Sequence, residues 1–143
     1  FNKTIYLPQE PDFINDTFRN NFLTYNPDLD ANDIHQLLGR VDLLTLTDEN
    51  PEGLDQKIKN NGRRLSLGVR RRLALARALC HDGVLAILDE PTEGMDPKGA
   101  SIVYNVMNEL VERKCTMVVF SHDRNIVRGA NHFLNLGEKK VLS

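Results

Sequence analysis

The segment with the clearest chemistry is GVLAILDEPTEGMD, residues 83–96. An apolar run there ends in two adjacent carboxylates, Asp89 and Glu90, which Pro91 and several turn residues follow. A carboxylate at the tip of a buried strand can hold Mg²⁺, and its neighbour can orient or deprotonate an attacking water molecule. The pair therefore favours phosphoryl-transfer chemistry, and the competing interpretation is two carboxylates that only cap the exit of a strand.

A second segment, RRLSLGVRRRLALARAL at residues 63–79, combines a helix start with positive charge. Ser66 stands where the helix is predicted to begin, and its hydroxyl with the N–H groups that follow would form an anion site backed by the helix dipole. Arg70, Arg71 and Arg72 place positive charge on the first turn, which the helix dipole disfavours. The competing interpretation is a solvated basic face.

Two further polar residues follow predicted strands. His122, in VVFSHD, is in a position to contact a transferring phosphoryl group, although a lone histidine after a strand is more often structural. Gln9, in LPQEP, carries no signal by itself.

The hydrophobic pattern predicts the elements that must position these residues. Short apolar runs predict buried parallel strands covered on both faces, and residues recurring at helical spacing predict helices between them. Since ligands bind at the carboxyl ends of parallel strands, Glu90 and His122 are expected on the same rim of one sheet. The predicted strands are residues 3–8, 84–88 and 115–120, with edge strands within 132–136 and 139–143; the predicted helices lie near 17, at 30–44, at 70–80, and from Asp96 onward, with mostly loop at 45–65.

The overall composition fits one globular domain of 143 residues with a formal net charge of −2. This charge gives no bulk attraction to nucleic acid, so no nucleic-acid partner is predicted. The two cysteines, Cys80 and Cys115, match no disulfide framework or metal-binding spacing. No apolar run approaches the roughly 18 residues that a membrane span needs, and the first residues do not resemble a signal peptide.

In their order and spacing, four segments resemble motifs of the nucleotide-binding domain of ATP-binding-cassette (ABC) transporters. YLPQEPDFINDTFRNN resembles the Q-loop as exporters write it, and LSLGV stands where the family has its L-S-G-G-Q signature. VLAILDEPTEGMD resembles the Walker B strand with the D-loop, and VVFSHD resembles the switch-histidine segment.

The resemblance covers nearly all of residues 1–143 and implies an α/β fold. It implies a partial P-loop NTPase (RecA-like) core with parallel strands, plus an ABC-type helical subdomain. Residues 10–80 would hold the Q-loop, the helical subdomain and the signature. Residues 81–143 would hold the Walker B and switch-histidine half of the core.

The resemblance also implies roles for residues on the rim of the sheet, with ATP and Mg²⁺ as cofactors. Gln9 would sense the γ-phosphate or Mg²⁺ and couple to the membrane domain. Asp89 would hold Mg²⁺ and Glu90 would be the catalytic base. His122 would contact the γ-phosphate.

Three other residues would act across a dimer interface. Ser66 and Gly68 would bind the γ-phosphate of ATP held by the opposite subunit, and Asp96 would close the D-loop across the dimer. The implied partners are a second nucleotide-binding domain, in a homodimer or heterodimer, and the transmembrane domain of an exporter. The implied location is the cytoplasmic face of a membrane.

The sequence departs from the family pattern in three places. No glycine is followed by lysine, so the P-loop (Walker A) pattern G-x-x-x-x-G-K-[ST] is absent, and we expect a soluble C-terminal part of such a domain that is inactive alone. Leu67 and Val69 replace signature residues, which predicts a weakened site for the opposite subunit's nucleotide. Asn60 stands where exporters carry a glutamate, so contact with the membrane domain is expected to differ.

Two alternatives remain from the sequence. One is a DNA-maintenance ATPase head of the SMC type, but such heads insert a long coiled coil between Q-loop and signature, and no sustained heptads separate Gln9 from Leu65. The other is a catalytically silent regulatory module, which the altered signature favours and which Glu90 and His122 oppose.

Overall fold

The structure, a computed structural model, describes residues 4–136 and 140–142. Strands and helices alternate in its second half, and its first half is mainly helical, as predicted. The strands are β1 (Thr4–Leu7), β2 (Leu85–Asp89), β3 (Thr116–Phe120), β4 (Phe133–Asn135) and β5 (Lys140–Leu142); the helices are α1 (Phe18–Leu23), α2 (Ala31–Arg40), α3 (Thr45–Asp48), α4 (Leu67–Ala78), α5 (Pro97–Glu112) and α6 (Arg124–Gly129).

Strands β1, β2 and β3 form one parallel sheet in that order. In its register, Ile5 pairs with Ala86 and Ala86 pairs with Met117. The parallel sheet confirms the α/β fold class. Strands β4 and β5 form a separate antiparallel pair, which confirms the strands predicted near the end of the chain.

Local capping chemistry sets where the main helices begin. Asp96 accepts a hydrogen bond from Gly99 N at 2.7 Å, and Pro97 occupies the first helical position of α5. Proline is favoured there because its missing N–H would have had no partner in the helix. At the start of α2, Asp30 and Asp33 form a reciprocal capping box.

One face of the parallel sheet packs on helices and builds the core. Helix α4 contacts β1 and α5, and α5 contacts β3. Leu75, Leu88 and Leu110 are almost fully buried in this layer. Burial of each such side chain stabilises the fold by about 1.5–3 kcal/mol. This layer therefore anchors the strand ends that carry the polar residues.

The opposite face of the same sheet is not covered by the described residues, so the prediction of strands buried on both faces is wrong for this part of the chain. Tyr6 alternates with buried neighbours in β1, and Val118 and Phe120 alternate with half-buried neighbours in β3. These three side chains are 53%, 44% and 49% exposed, respectively. Side chains on both faces of the sheet are apolar, which gives continuous apolar runs in the sequence. The helices of the described chain pack on only one of these faces.

The segment between β1 and α4 folds into short helices. Its longest helix, α2, has 10 residues. The segment predicted as loop contains the short helix α3 and two 3₁₀ turns, Gly53–Asp55 and Asn60–Gly62. Arg40 on α2 bonds Glu109 on α5 at 2.6 Å, which ties this helical part to the core. In the described ranges, no helix combines the length and apolar character that crossing a bilayer requires.

Candidate functional site

A cleft of about 390 Å³ lies at the carboxyl ends of the three parallel strands. Gln9, Glu90 and His122 follow β1, β2 and β3 respectively, and all three line this cleft. The prediction that Glu90 and His122 share one rim of the sheet is therefore confirmed. The remaining lining residues are Thr92, Glu93 and Asp123.

Glu90 occupies the centre of this rim. Its backbone N–H donates to Phe120 O at 2.8 Å, which continues the pairing of β2 with β3 by one step. Its φ angle is +48°, a left-handed conformation that glutamate rarely adopts. The Glu90 side chain is 19% exposed, and its Oε1 lies 3.5 Å from Nε2 of His122, whose side chain is 98% exposed. The arrangement pairs a sheltered carboxylate with an accessible imidazole.

Asp89 is the last residue of β2 and is half-buried. Among residues 4–136 and 140–142, no three His, Cys, Asp or Glu side chains come together as a metal cluster. Mg²⁺ is commonly held by one or two carboxylates and completed by water and phosphate oxygens. Asp89 and Gln9 carry oxygen donors of the type that Mg²⁺ prefers, but only Gln9 of the two lines the cleft.

Ser66, Gly68 and Asp96 do not line the cleft. Ser66 begins α4 as predicted, and its Oγ accepts from Val69 N at 3.3 Å. Val69 has no side-chain group that could return a bond to the cap, so the reciprocal capping box is missing. Asp96 caps α5 in the turn after Glu90.

The start of α4 packs on the turn that precedes Asp96. Gly94 has φ +74°, and a Cβ placed there would come within 2.7 Å of Leu67 Cδ2. Leu67 therefore fills the space above a glycine that has room for no side chain. A Cβ at Gly68 would lie 3.5 Å from Gly94 O, so the start of α4 and the turn before Asp96 are direct neighbours within one chain.

The arginines of α4 do not form a solvated basic face, and that interpretation is wrong for Arg71 and Arg72. Arg71 is 2% exposed and donates to Glu90 O at 2.5 Å and to Glu93 Oε2 at 3.2 Å. Arg72 donates to Val41 O at 2.8 Å, at the end of α2. Arg71 is buried and Arg72 is half-buried, and both guanidinium groups donate to carbonyl oxygens that α4 itself does not supply.

A third arginine of the same helix, Arg77, is also buried. Its guanidinium carbon lies 4.6 Å from the ring centroid of Phe13 and 4.4 Å from that of Tyr25, and its Nη2 donates to Asp12 O at 2.8 Å. Burial lowers the pKa of Arg77. These contacts hold the segment after Gln9 against α4.

Sequence reasoning missed a polar cluster beside His122. Thr92 Oγ1 donates to Asp123 Oδ2 at 2.8 Å, the hydroxyl of Tyr104 donates to the same oxygen, and Asp123 caps α6. Burial by itself would raise the pKa of Asp123, but the bonds from Tyr104, Thr92 and the backbone outweigh it, and the pKa lies below the ordinary value. The carboxylate therefore links three elements at the cleft. The only sequence signal was a carboxylate directly after a histidine at a strand end.

Comparison with known proteins places this geometry in a family. A sequence profile of the ABC transporter family matches residues 2–93. The chain is 36% identical over 122 residues to the glutathione/L-cysteine transport system ATP-binding/permease protein CydC of Escherichia coli, covering 85% of the chain and 21% of that protein. It is 30% identical over 136 residues to an ATP-dependent lipid A-core flippase of Neisseria meningitidis serogroup A, covering 95% of the chain and 22% of that protein.

The chain thus spans about a fifth of the length of these curated relatives. Among solved structures, a bacterial Atm1-family ABC exporter with ATP bound superposes with a TM-score of 0.86 at 19% identity, over 99% of this chain and 25% of that one. At this identity the likeness concerns the fold, which agrees with a partial P-loop NTPase core. Together with the profile and the two relatives, it establishes that the chain belongs to the ABC transporter family.

Proposed function

We propose that the chain supplies the Q-loop, signature, Walker B and switch-histidine part of the ATPase of an ABC exporter. ATP hydrolysis there would power movement of a substrate across a membrane, as the names of the transport-system protein and the flippase indicate for those two relatives. The observation that carries the proposal is the shared cleft, where Gln9, Glu90 and His122 meet from three different strand ends.

In this mechanism Glu90 is the general base. Its carboxylate accepts a proton from the water molecule that attacks the γ-phosphorus of ATP, while the bond from phosphorus to the β–γ bridging oxygen breaks and ADP leaves with the electron pair. His122, almost fully exposed beside it, contacts the γ-phosphate oxygens. Asp89 and Gln9 would hold Mg²⁺, which would supply positive charge against the phosphates.

The proposal needs a second nucleotide-binding domain. Ser66 and Gly68 lie outside the cleft of their own chain, so the nucleotide they bind would be held by an opposite subunit. The start of α4 supports this, because Ser66 is exposed there and the backbone N–H groups and dipole at a helix N-terminus favour an anion. A P-loop-bearing segment would hold the phosphates opposite it, and a transmembrane domain at the cytoplasmic face would receive the motion.

The fold also bears on the SMC-type alternative. A head of that kind needs a long coiled coil between Gln9 and Ser66. The described residues between them form helices of at most 10 residues that pack into the domain. This packing supports the transporter proposal.

The experiment compares variants in the complete transporter that contains this chain. Glu90→Gln is expected to abolish ATP turnover and to retain ATP binding, because the amide keeps the shape but cannot accept the proton. Asp89→Ala is expected to weaken Mg²⁺-dependent ATP binding as well. Glu112→Gln, on the exposed end of α5, is the matched control and should leave both quantities unchanged.

Single-turnover hydrolysis, nucleotide affinity and thermal melts are measured on each variant. Turnover by Glu90→Gln near the wild-type rate would show that Glu90 is not the base, and the proposed mechanism would fail. If Glu90→Gln and Asp89→Ala lower turnover only in proportion to the folded fraction, the carboxylates are capping groups alone.

A further inference from the structure

We propose that Arg71 is a positioning residue that fixes the backbone of Glu90 and links the signature helix α4 directly to the catalytic carboxylate. The inference rests on the proposed function, because it needs Glu90 to act as the base. It concerns a contact within one chain, between a residue 2% exposed on α4 and the turn that follows β2.

The first observation is that the guanidinium group of Arg71 donates hydrogen bonds to two different residues. Its Nη1 donates to Glu90 O at 2.5 Å, and its Nη2 donates to Glu93 Oε2 at 3.2 Å. The same Glu93 oxygen accepts from Gln9 Nε2 at 3.4 Å. One arginine and one carboxylate therefore join the Q-loop segment, the signature helix and the Walker B turn.

The second observation is the backbone conformation that this contact holds. A left-handed φ costs a residue such as glutamate about 1–2 kcal/mol, and such conformations persist only where the surroundings enforce them. Both backbone polar groups of Glu90 are bonded: its N–H donates to Phe120 O at 2.8 Å, and its carbonyl accepts from Arg71 at 2.5 Å and from Glu93 N at 3.2 Å. Removing the guanidinium leaves the Glu90 carbonyl with only the local turn bond from Glu93 N, so the shorter bond that ties this backbone to α4 is lost and the Glu90 carboxylate is held less firmly in the cleft.

The third observation is charge. Arg71 lies near the start of α4, where the helix dipole disfavours a cation. The cation is therefore not placed there to stabilise the helix, and its only described carboxylate partner is Glu93. Arginine suits this position because its planar fork reaches two acceptors at once, whereas the ammonium of lysine is a single point of charge.

The consequence is a path from the opposite nucleotide to the base. Ser66, which would contact the opposite subunit's ATP, begins the same helix one turn before Arg71. A displacement of the helix start is transmitted through the guanidinium to Glu90 O without any intervening side chain. Arg71 would thereby make the orientation of the base depend on whether the signature is engaged.

The test uses the complete transporter and four variants. Arg71→Lys removes the fork, and Glu93→Leu removes the carboxylate from a side chain that is 48% exposed and tolerates replacement. Glu93→Gln keeps an acceptor oxygen and serves as the conservative rescue. Arg72→Lys is the matched control, since its guanidinium also donates to a backbone carbonyl, Val41 O, but far along the chain from Glu90.

For Arg71→Lys and Glu93→Leu we expect kcat to fall about tenfold or more, while KM for ATP and the nucleotide Kd stay within about twofold. Glu93→Gln should recover most of kcat, and Arg72→Lys should keep it. Melting curves are recorded for each variant, and kcat is expressed per folded protein.

A folded Glu93→Leu or Arg71→Lys protein with kcat within about twofold of wild type would overturn the inference, and so would an equal loss in Arg72→Lys. Glu90→Gln is assayed alongside to separate two failures. If Glu90→Gln retains turnover, the proposed base and this inference both fail. If Glu90→Gln is inactive while the Arg71 and Glu93 variants keep kcat, only the positioning role fails.

Discussion

Replacing Gly94 by alanine is expected to destabilise the chain by about 2–5 kcal/mol. The left-handed backbone at φ +74° costs an L-residue about 1–2 kcal/mol. The new Cβ would lie 2.7 Å from Leu67 Cδ2 and 3.1 Å from Leu67 Cγ, well inside the ordinary carbon contact of about 3.5–4 Å. Forcing such an overlap costs about 1–3 kcal/mol more.

Urea unfolding of the chain measures this cost, and Gly53→Ala provides the matched control. Gly53 also has a left-handed φ, +53°, but nothing lies within 4 Å of a Cβ there. Its replacement should therefore show the backbone cost alone. In a Leu67→Ala background, Gly94→Ala should cost no more than Gly53→Ala does, because the overlapping atoms are gone.

Equal costs for Gly94→Ala and Gly53→Ala would refute this reasoning. The result would mean that Leu67 swings aside freely and that the signature start is not packed on the D-loop turn. If Gly94→Ala lowers the free energy of unfolding equally in the wild-type and Leu67→Ala backgrounds, the loss comes from the backbone conformation and not from the overlap with Leu67.

The remaining predictions concern ligand binding, thiol chemistry and pH. The chain alone should bind ATP weakly and not hydrolyse it, because it lacks the glycine–lysine pair of a P-loop; calorimetry with MgATP checks this, and submicromolar affinity would contradict it. Burial raises the pKa of Cys80 to about 11, so native protein should hold roughly 100-fold less Cys80 thiolate than unfolded protein and alkylate correspondingly slowly with iodoacetamide. Because the pKa of Asp123 is lowered on folding, its stabilising contribution is present above about pH 4 and is lost as pH falls through the folded value. The stability difference between wild type and Tyr104→Phe should therefore be largest near neutral pH and shrink in acid, and a difference that grows in acid would reverse the assignment.

The elements were predictable where their signals are local. The apolar runs of β2 and β3, and the Asp96–Pro97 start of α5, depend on residues next to each other in the chain, and the structure confirms each. The sharing of one rim by Glu90 and His122 followed from the geometry of parallel strands. The family resemblance supplied roles for these residues, and those roles remain predictions.

The burial of Arg71 was not predictable from its own segment. Its partners, the carbonyl of Glu90 and the carboxylate of Glu93, lie 19 and 22 residues further along the chain. An arginine that faces solvent and one that faces a distant carbonyl have the same neighbours in sequence. The left-handed backbone of Glu90 was not predictable for the same reason. Its N–H pairs with Phe120 across the sheet, and this distant contact helps to impose the conformation.

The face of the parallel sheet that the described residues leave uncovered bears on how this chain would behave when purified by itself. Tyr6, Val118 and Phe120 present a contiguous apolar surface to solvent, and a formal net charge of −2 provides little electrostatic repulsion between molecules. Such a surface binds environment-sensitive fluorescent dyes even when the chain is folded. It also promotes self-association as concentration rises, so light scattering and apparent melting temperature should both change on dilution. Measurements of stability and association on this chain therefore depend on the protein concentration at which they are made.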